Sequence, residues 1–229
     1  MLLSSAESPA GFAPFLEEET RAEGAYARLM AGRDADAPEH FDLHVLASIL
    51  ALAIEEGAGL AAGAGLSPGE SAELAARFFP HSAAWLAALA KGAVAGEGVT
   101  RGEDEACLRD LLATCASEHS RLQALLAAMI ARLAQSPNHL WQDLGLRHRG
   151  ELSRLMMRHF RLLAARNTAD MKWKKFLYRM ICRDAGYALC TAPSCAECCD
   201  FETCFGDENG ESRLARVRRA SERDAAAEH

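Results

Sequence analysis

The chain has 229 residues, half of them apolar and only 7% aromatic, with a formal net charge of −7. That length supports one well-cored domain, or a domain with a small appendix, and the acidic balance excludes a chain built to coat nucleic acid. The opening MLLSSAESPAGF has neither a basic n-region nor an apolar stretch long enough for a signal peptide. No segment approaches the roughly 18 to 20 uninterrupted apolar residues that a membrane helix needs, so the expected location is the cytoplasm, with no membrane partner.

Alanine and leucine dominate, and no long run alternates β-branched residues with polar ones. The expected class is all-α: a helical domain with a C-terminal cysteine-rich metal-binding loop. Residues 9–31 and 40–56 read as helices. Ser67-Pro68-Gly69-Glu70 is a helix start, because the serine can cap, proline suits the first turn and the glutamate can reach back. That helix should stop near Pro80. The longest helical pattern runs from Glu103 to Gln135, with a break around Ala116 to Ser120. Glycine-rich stretches at 57–69 and 92–102 read as loops.

Beyond Ser136-Pro137 the character changes. Leu152, Leu155, Met156, His159, Phe160 and Leu163 fall at helical spacing and predict one continuous buried stripe. Trp173, Phe176, Leu177, Met180 and Ile181 repeat that spacing in a second helix. Lys172, Lys175, Arg179 and Arg183 form a basic row on another face, a candidate docking or oxyanion-steering surface whose bland alternative is a solvated helix face. From Arg147 to Arg183 eleven Lys/Arg stand against two Asp/Glu, Glu151 and Asp170, a balance of +9 within an acidic chain. The organisation expected is a helical body (1–189), a cysteine-rich loop packed on it (190–206), and a charged tail (207–229) that reads as mobile or as one frayed helix.

Five of the eight cysteines crowd into one segment, Cys190-TAPS-Cys195-AE-Cys198-CDFET-Cys204, spaced C-x4-C-x2-C-x5-C with Cys199 as a fifth thiol. In a reducing compartment clustered thiols bind metal or do redox chemistry rather than form disulfides. Thiolates are soft ligands for zinc, copper(I) and iron–sulfur clusters. Structural zinc usually pairs two C-x2-C knuckles, and here Cys195 and Cys198 form the only one. The x4-x2 spacing is that of the first three ligands in plant-type 2Fe–2S ferredoxins. An iron–sulfur cluster is therefore the favoured reading, with zinc the rival, and the basic helix would offset the cluster's negative charge. Cys182 reads as a packed small side chain.

Among the histidines, His139 sits at a turn after Pro137 near Asp143, where it is either a helix-start residue or a metal ligand. His159 lies on an apolar stripe and reads as a satisfied core histidine. Nothing in the sequence marks His44 or His119 as a ligand.

Three strings carry a resemblance: Asn138-His139-Leu140-Trp141-Gln142-Asp143-Leu144-Gly145, Arg166-Asn167-Thr168 through Met171-Lys172-Trp173-Lys174-Lys175-Phe176, and the cysteine run ending Cys204-Phe205-Gly206. In this order they resemble the nitrogen-fixation NifQ family over roughly 138–206. The resemblance implies an iron–sulfur protein, its cluster of 3Fe-4S or 4Fe-4S type, that supplies molybdenum for the nitrogenase iron–molybdenum cofactor. It implies Cys190, Cys195, Cys198 and Cys204 as ligands, with Cys199 outside the family motif; should molybdenum need a non-cysteine ligand, the turn position of His139 makes it the first place to look. It implies the scaffold NifE/NifN and the iron protein NifH as partners, with molybdate or a molybdenum carrier as source. The function expected is thus a metal-cluster carrier and not an enzyme. No nucleophile–base constellation, glycine-rich phosphate loop or HExxH is present, although reduction of an oxyanion at the cluster stays open. An electron-transfer protein and a zinc-stapled helical interaction module are the alternatives.

Overall fold

The computed structural model describes residues 22–57, 59–92, 102–184, 208, 210 and 212–214, without the side chains of 61, 91–92 and 182–184. Every regular element among them is a helix, as the composition predicts. Of the segment expected to be helical over 9–31, only the part from Ala22 falls within the described residues, as helix α1 (Ala22–Met30).

Helix α2 (His40–Glu55) has thirteen of its sixteen residues buried, Phe41 through Ala53 without interruption. Its apolar residues lie all round the axis rather than on one stripe, the pattern of a helix enclosed by others. Helix α1 packs against it, and so does the short α3 (Leu60–Ala64). That third helix corrects the expectation of a loop throughout 57–69. Small residues explain it: a Cβ on Gly63 would lie 2.9 Å from Ala53 Cβ, so the glycine lets α3 approach α2 closely while Leu60 and Ala64 bury.

Helix α4 (Pro68–Phe78) begins as its sequence predicts. Ser67 Oγ accepts from Glu70 N–H at 3.2 Å and Glu70 Oε2 accepts from Ser67 N–H at 2.8 Å, a complete capping box with proline in the first turn. A 3-10 turn (Pro80–Ser82) leads into α5 (Ala83–Gly92). The long pattern from Glu103 divides where expected, into α6 (Glu103–Thr114) and α7 (Arg121–Leu133). A second capping box, Ser120 with Gln123, starts α7, whose residues Leu125 to Ala131 are all buried.

Four helices follow: α8 (Leu140–Asp143), α9 (Arg149–His159), α10 (Arg161–Ala164) and α11 (Trp173–Asp184). The predicted stripe from Leu152 to Leu163 is buried at each position, but it does not lie on one helix. Phe160 adopts φ −132° and ψ 47°, ending α9. The cause is tertiary. Ser117, in the α6–α7 connection, donates its N–H to His159 O at 2.9 Å and accepts Arg161 N–H on its Oγ at 3.1 Å. Those bonds satisfy backbone groups that a continuous helix would have paired internally. Trp173, Phe176, Leu177 and Met180 of α11 are buried as predicted, with Ile181 half-buried against the core.

Two histidine–carboxylate pairs of opposite polarity tie α2 to α9. Asp42 accepts from His159 Nε2 at 2.9 Å, and His44 Nε2 lies 3.3 Å from Glu151 Oε2. Asp42 also receives Arg158, and His44 Nδ1 meets the Tyr26 hydroxyl at 2.8 Å. Burial pushes the Asp42 carboxyl up, but the bonds from His159 and Arg158 outweigh it and hold it below its ordinary value. Glu151 behaves the same way: burial opposes, and His44 with the Arg147 N–H prevails.

Candidate functional site

The first matched string builds α8 and fixes it rigidly despite its single turn. At its start Gln142 Oε1 accepts the His139 N–H at 3.2 Å. At its end Leu146 N–H bonds Trp141 O and Gly145 N–H bonds Gln142 O, both at 2.9 Å. That is the Schellman pattern, and it needs Gly145 at φ +71°. A side chain there would also meet Ser48 O of α2 at 2.9 Å. Leu140 and Trp141 are buried, which leaves Asp143 aimed inward with 0% exposure.

Asp143 is the hub of the region. Its Oδ1 accepts from Asn138 Nδ2 at 2.9 Å and from Arg213 Nη1 at 3.2 Å, while Oδ2 accepts Lys174 Nζ at 2.6 Å. Lys174 also donates to Ser136 O, and Arg213 also pairs with Glu56. Burial pulls the Lys174 ammonium below its ordinary value against the opposing attraction of Asp143, and Arg213 adds to the lowering.

The second matched string forms the turn that delivers α11. Asn167 grips Met171 with both ends of its amide, Oδ1 accepting the Met171 N–H and Nδ2 donating to Met171 O, each at 2.9 Å. Asp170 takes φ +53° inside that turn, and Arg149 Nη2 bonds both its carbonyl, at 2.9 Å, and its Oδ1, at 2.7 Å. Trp173 Nε1 donates to Ser153 Oγ at 3.2 Å, fastening the first turn of α11 to α9.

Residues C-terminal to the cysteines come back to the same place. Glu208, with 3% of its side chain exposed, has Oε2 2.8 Å from Arg149 Nε and Oε1 3.4 Å from His139 Nδ1. The first contact is an ion pair rather than a linear hydrogen bond. Gly210, at φ +142°, lies against the Gln142 amide, Arg213 reaches Asp143, and Leu214 packs on the core. Glu208, Gly210 and Arg213 thus touch three residues of α8 and its cap: His139, Gln142 and Asp143.

Cys190, Cys195, Cys198, Cys199 and Cys204 lie outside the described residues, as does the side chain of Arg183. The described residues on either side of them are Asp184 at the end of α11 and Glu208. His139 is the N-cap of α8 and half-buried, the helix-start position that its sequence context allowed. In the basic row Lys175 and Arg179 are exposed and Lys172 is half-buried. His159 is a satisfied core histidine, as its stripe position implied. Among the described residues no three His, Cys, Asp or Glu side chains gather as a metal site, and no helix is long and apolar enough to cross a membrane.

Sequence reasoning missed two features. Lys174 is adjacent to Lys175 yet turns inward, and no local pattern reveals a partner 31 residues away. His44 forms a buried contact with Glu151; the signal available was a histidine and an aspartate, His44 and Asp42, inside an otherwise apolar helix, since buried polar groups need partners.

Fold and site together define, over the described residues, an all-helical protein in whose sequence α11 precedes and a docked strap follows the cysteine-rich segment. The sequence model of the NifQ family matches residues 45–206. A NifQ homolog of Sinorhizobium fredii (strain NBRC 101917 / NGR234) is 43% identical over 176 residues, covering 75% of this chain and 75% of the relative. NifQ of Rhodobacter capsulatus is 39% identical over 107 residues (47% of this chain, 59% of the relative). NifQ of Azotobacter vinelandii is 42% identical over 83 (36% and 43%). The chain belongs to the NifQ family. No solved structure matches it.

Proposed function

We propose that the protein is an iron–sulfur protein that takes up molybdenum and donates it, as a molybdenum–iron–sulfur species, to the assembly of the nitrogenase iron–molybdenum cofactor. The observation that carries this reading is the quartet Cys190, Cys195, Cys198 and Cys204 inside the region matched by the family. The donor set suits the group: four soft thiolates within fifteen residues match iron and sulfide better than a hard-ligand site would. When bound, the cluster supplies a sulfide environment that can accept a reduced molybdenum cargo. The protein's own part is to hold the thiols and to screen their charge. Eleven basic residues stand between Arg147 and Arg183; Arg149, Arg158 and Lys174 are paired with Glu208, Asp42 and Asp143, while the exposed Lys175 and Arg179 would offset the charge of a loaded cluster.

On this reading the protein is a carrier rather than a catalyst, and its recipients are NifE/NifN together with NifH. Lys172, Lys175, Arg179 and Arg183 form the docking or oxyanion-steering row, Cys199 is a spare thiol beside a ligand, and His139 is the first candidate for a non-cysteine ligand. Anaerobic purification with iron, zinc and molybdenum analysis, and an absorption spectrum of the same sample, tests it. Brown protein whose molybdenum content rises when cells receive molybdate supports the reading. Colourless protein with stoichiometric zinc and no iron overturns it.

A further inference from the structure

One buried carboxylate bonds a residue on each side of the cysteine segment in the sequence. Lys174, in the first turn of α11, and Arg213, beyond the last cysteine, both terminate on Asp143, on opposite oxygens at 2.6 and 3.2 Å. We propose that Asp143 is a positioning residue for the metal-binding segment: it clasps the two flanks of Cys190–Cys204 to one point on the body. This inference rests on the metal-carrying function proposed above.

Asp143 can serve both flanks because α8 is locked at each end, by Gln142 on the His139 N–H and by the Gly145 turn against Ser48. An aspartate with no exposure is costly unless its oxygens are saturated, and here three donors saturate them. The strap has further anchors: Glu208 on Arg149, Gly210 against Gln142, and Leu214 on the core. On the other flank, Tyr178 donates to Gln135 Oε1 at 2.9 Å, one turn along α11 from Lys174. Tethering both flanks removes chain conformations that four thiols would otherwise have to give up on closing around a metal. A ligand set held this way binds with less ordering cost and releases more slowly. A residue acting only on the helical body would not need its second cation to come from beyond the cysteines.

The test uses the full chain, purified anaerobically, as wild type, Arg213→Met, Glu208→Gln and Asp143→Asn. Arg213→Met keeps the apolar stem and the Lys174–Asp143 pair while removing the strap's charge. Iron loss to excess bathophenanthroline disulfonate is followed by absorbance, and hydrogen exchange is measured on metal-free protein. Arg213→Met should lose iron at least about tenfold faster, the factor that one charge-assisted bond to a buried carboxylate corresponds to. Exchange at 208–214 should rise while that of α2 and α7 stays at wild-type rates. Asp143→Asn should exceed Arg213→Met, and Glu208→Gln should shift both readouts the same way. Iron loss equal to wild type in Arg213→Met and Glu208→Gln, with α2 and α7 unchanged, overturns the clasp. Wild-type protein that binds no iron overturns the proposed function instead; the clasp is then judged by exchange alone, and unchanged exchange at 208–214 in Arg213→Met rejects it.

Discussion

Replacing Asp42 by alanine isolates what holds α9 against α2. Asp42 is 6% exposed, and its carboxylate receives His159 Nε2 at 2.9 Å and Arg158 Nη2 at 3.1 Å. Truncation leaves a buried imidazole without its acceptor and an arginine half in solvent. Removing one partner of a buried pair costs about 3–5 kcal/mol, and the exposed part of Arg158 brings the expectation to the lower end, about 3 kcal/mol. For a chain of this size that corresponds to a fall in Tm of about 6–12 °C. Thermal melts followed by circular dichroism at neutral pH read it directly. The pH dependence adds a second handle. The folded carboxyl sits below its ordinary value, whereas in the unfolded chain it titrates near about 3.9. Its stabilisation is therefore complete above the unfolded value and drains away as pH falls through the folded one. The gap between wild type and Asp42→Ala should accordingly narrow as pH falls through and below the ordinary carboxylate range. A Tm within about 2 °C of wild type at neutral pH would refute the view that this pair braces the core.

Ser67→Ala should cost about 1 kcal/mol in urea unfolding, because one half of a complete capping box disappears while Glu70 keeps its bond to Arg109 at 2.6 Å. Cys195→Ala or Cys198→Ala should abolish cluster binding while the far-ultraviolet circular dichroism stays that of the wild type; lost helicity would make the metal a structural staple. Lys175→Glu with Arg179→Glu should slow molybdenum donation at physiological salt without changing Tm by more than about 2 °C, since both side chains are exposed. Undiminished donation would remove that row from the docking surface.

What the sequence determined by itself was mostly local. The capping signal at Ser67, the break around Ala116 to Ser120, and the buried faces of α9 and α11 follow from interactions within a turn or two. Those are set by residue type and spacing whatever the surroundings. The helical class follows the same way, from an alanine- and leucine-rich chain without strand alternation. The first two matched strings also pointed to the region where α8 and the start of α11 meet, while the third lies outside the described residues.

Tertiary structure alone decided the rest. The break at Phe160 arises because Ser117, far away in sequence, supplies competing hydrogen bonds, so an unbroken apolar stripe became two helices. Leu60–Ala64 became helical because Gly63 and Ala53 permit close approach to α2, where glycine content alone suggested a loop. Lys174 and Lys175 are chemically alike and adjacent, yet one is drawn into a buried aspartate and the other faces water. Burial depends on which elements meet, and a charge will leave water only where a partner already waits for it.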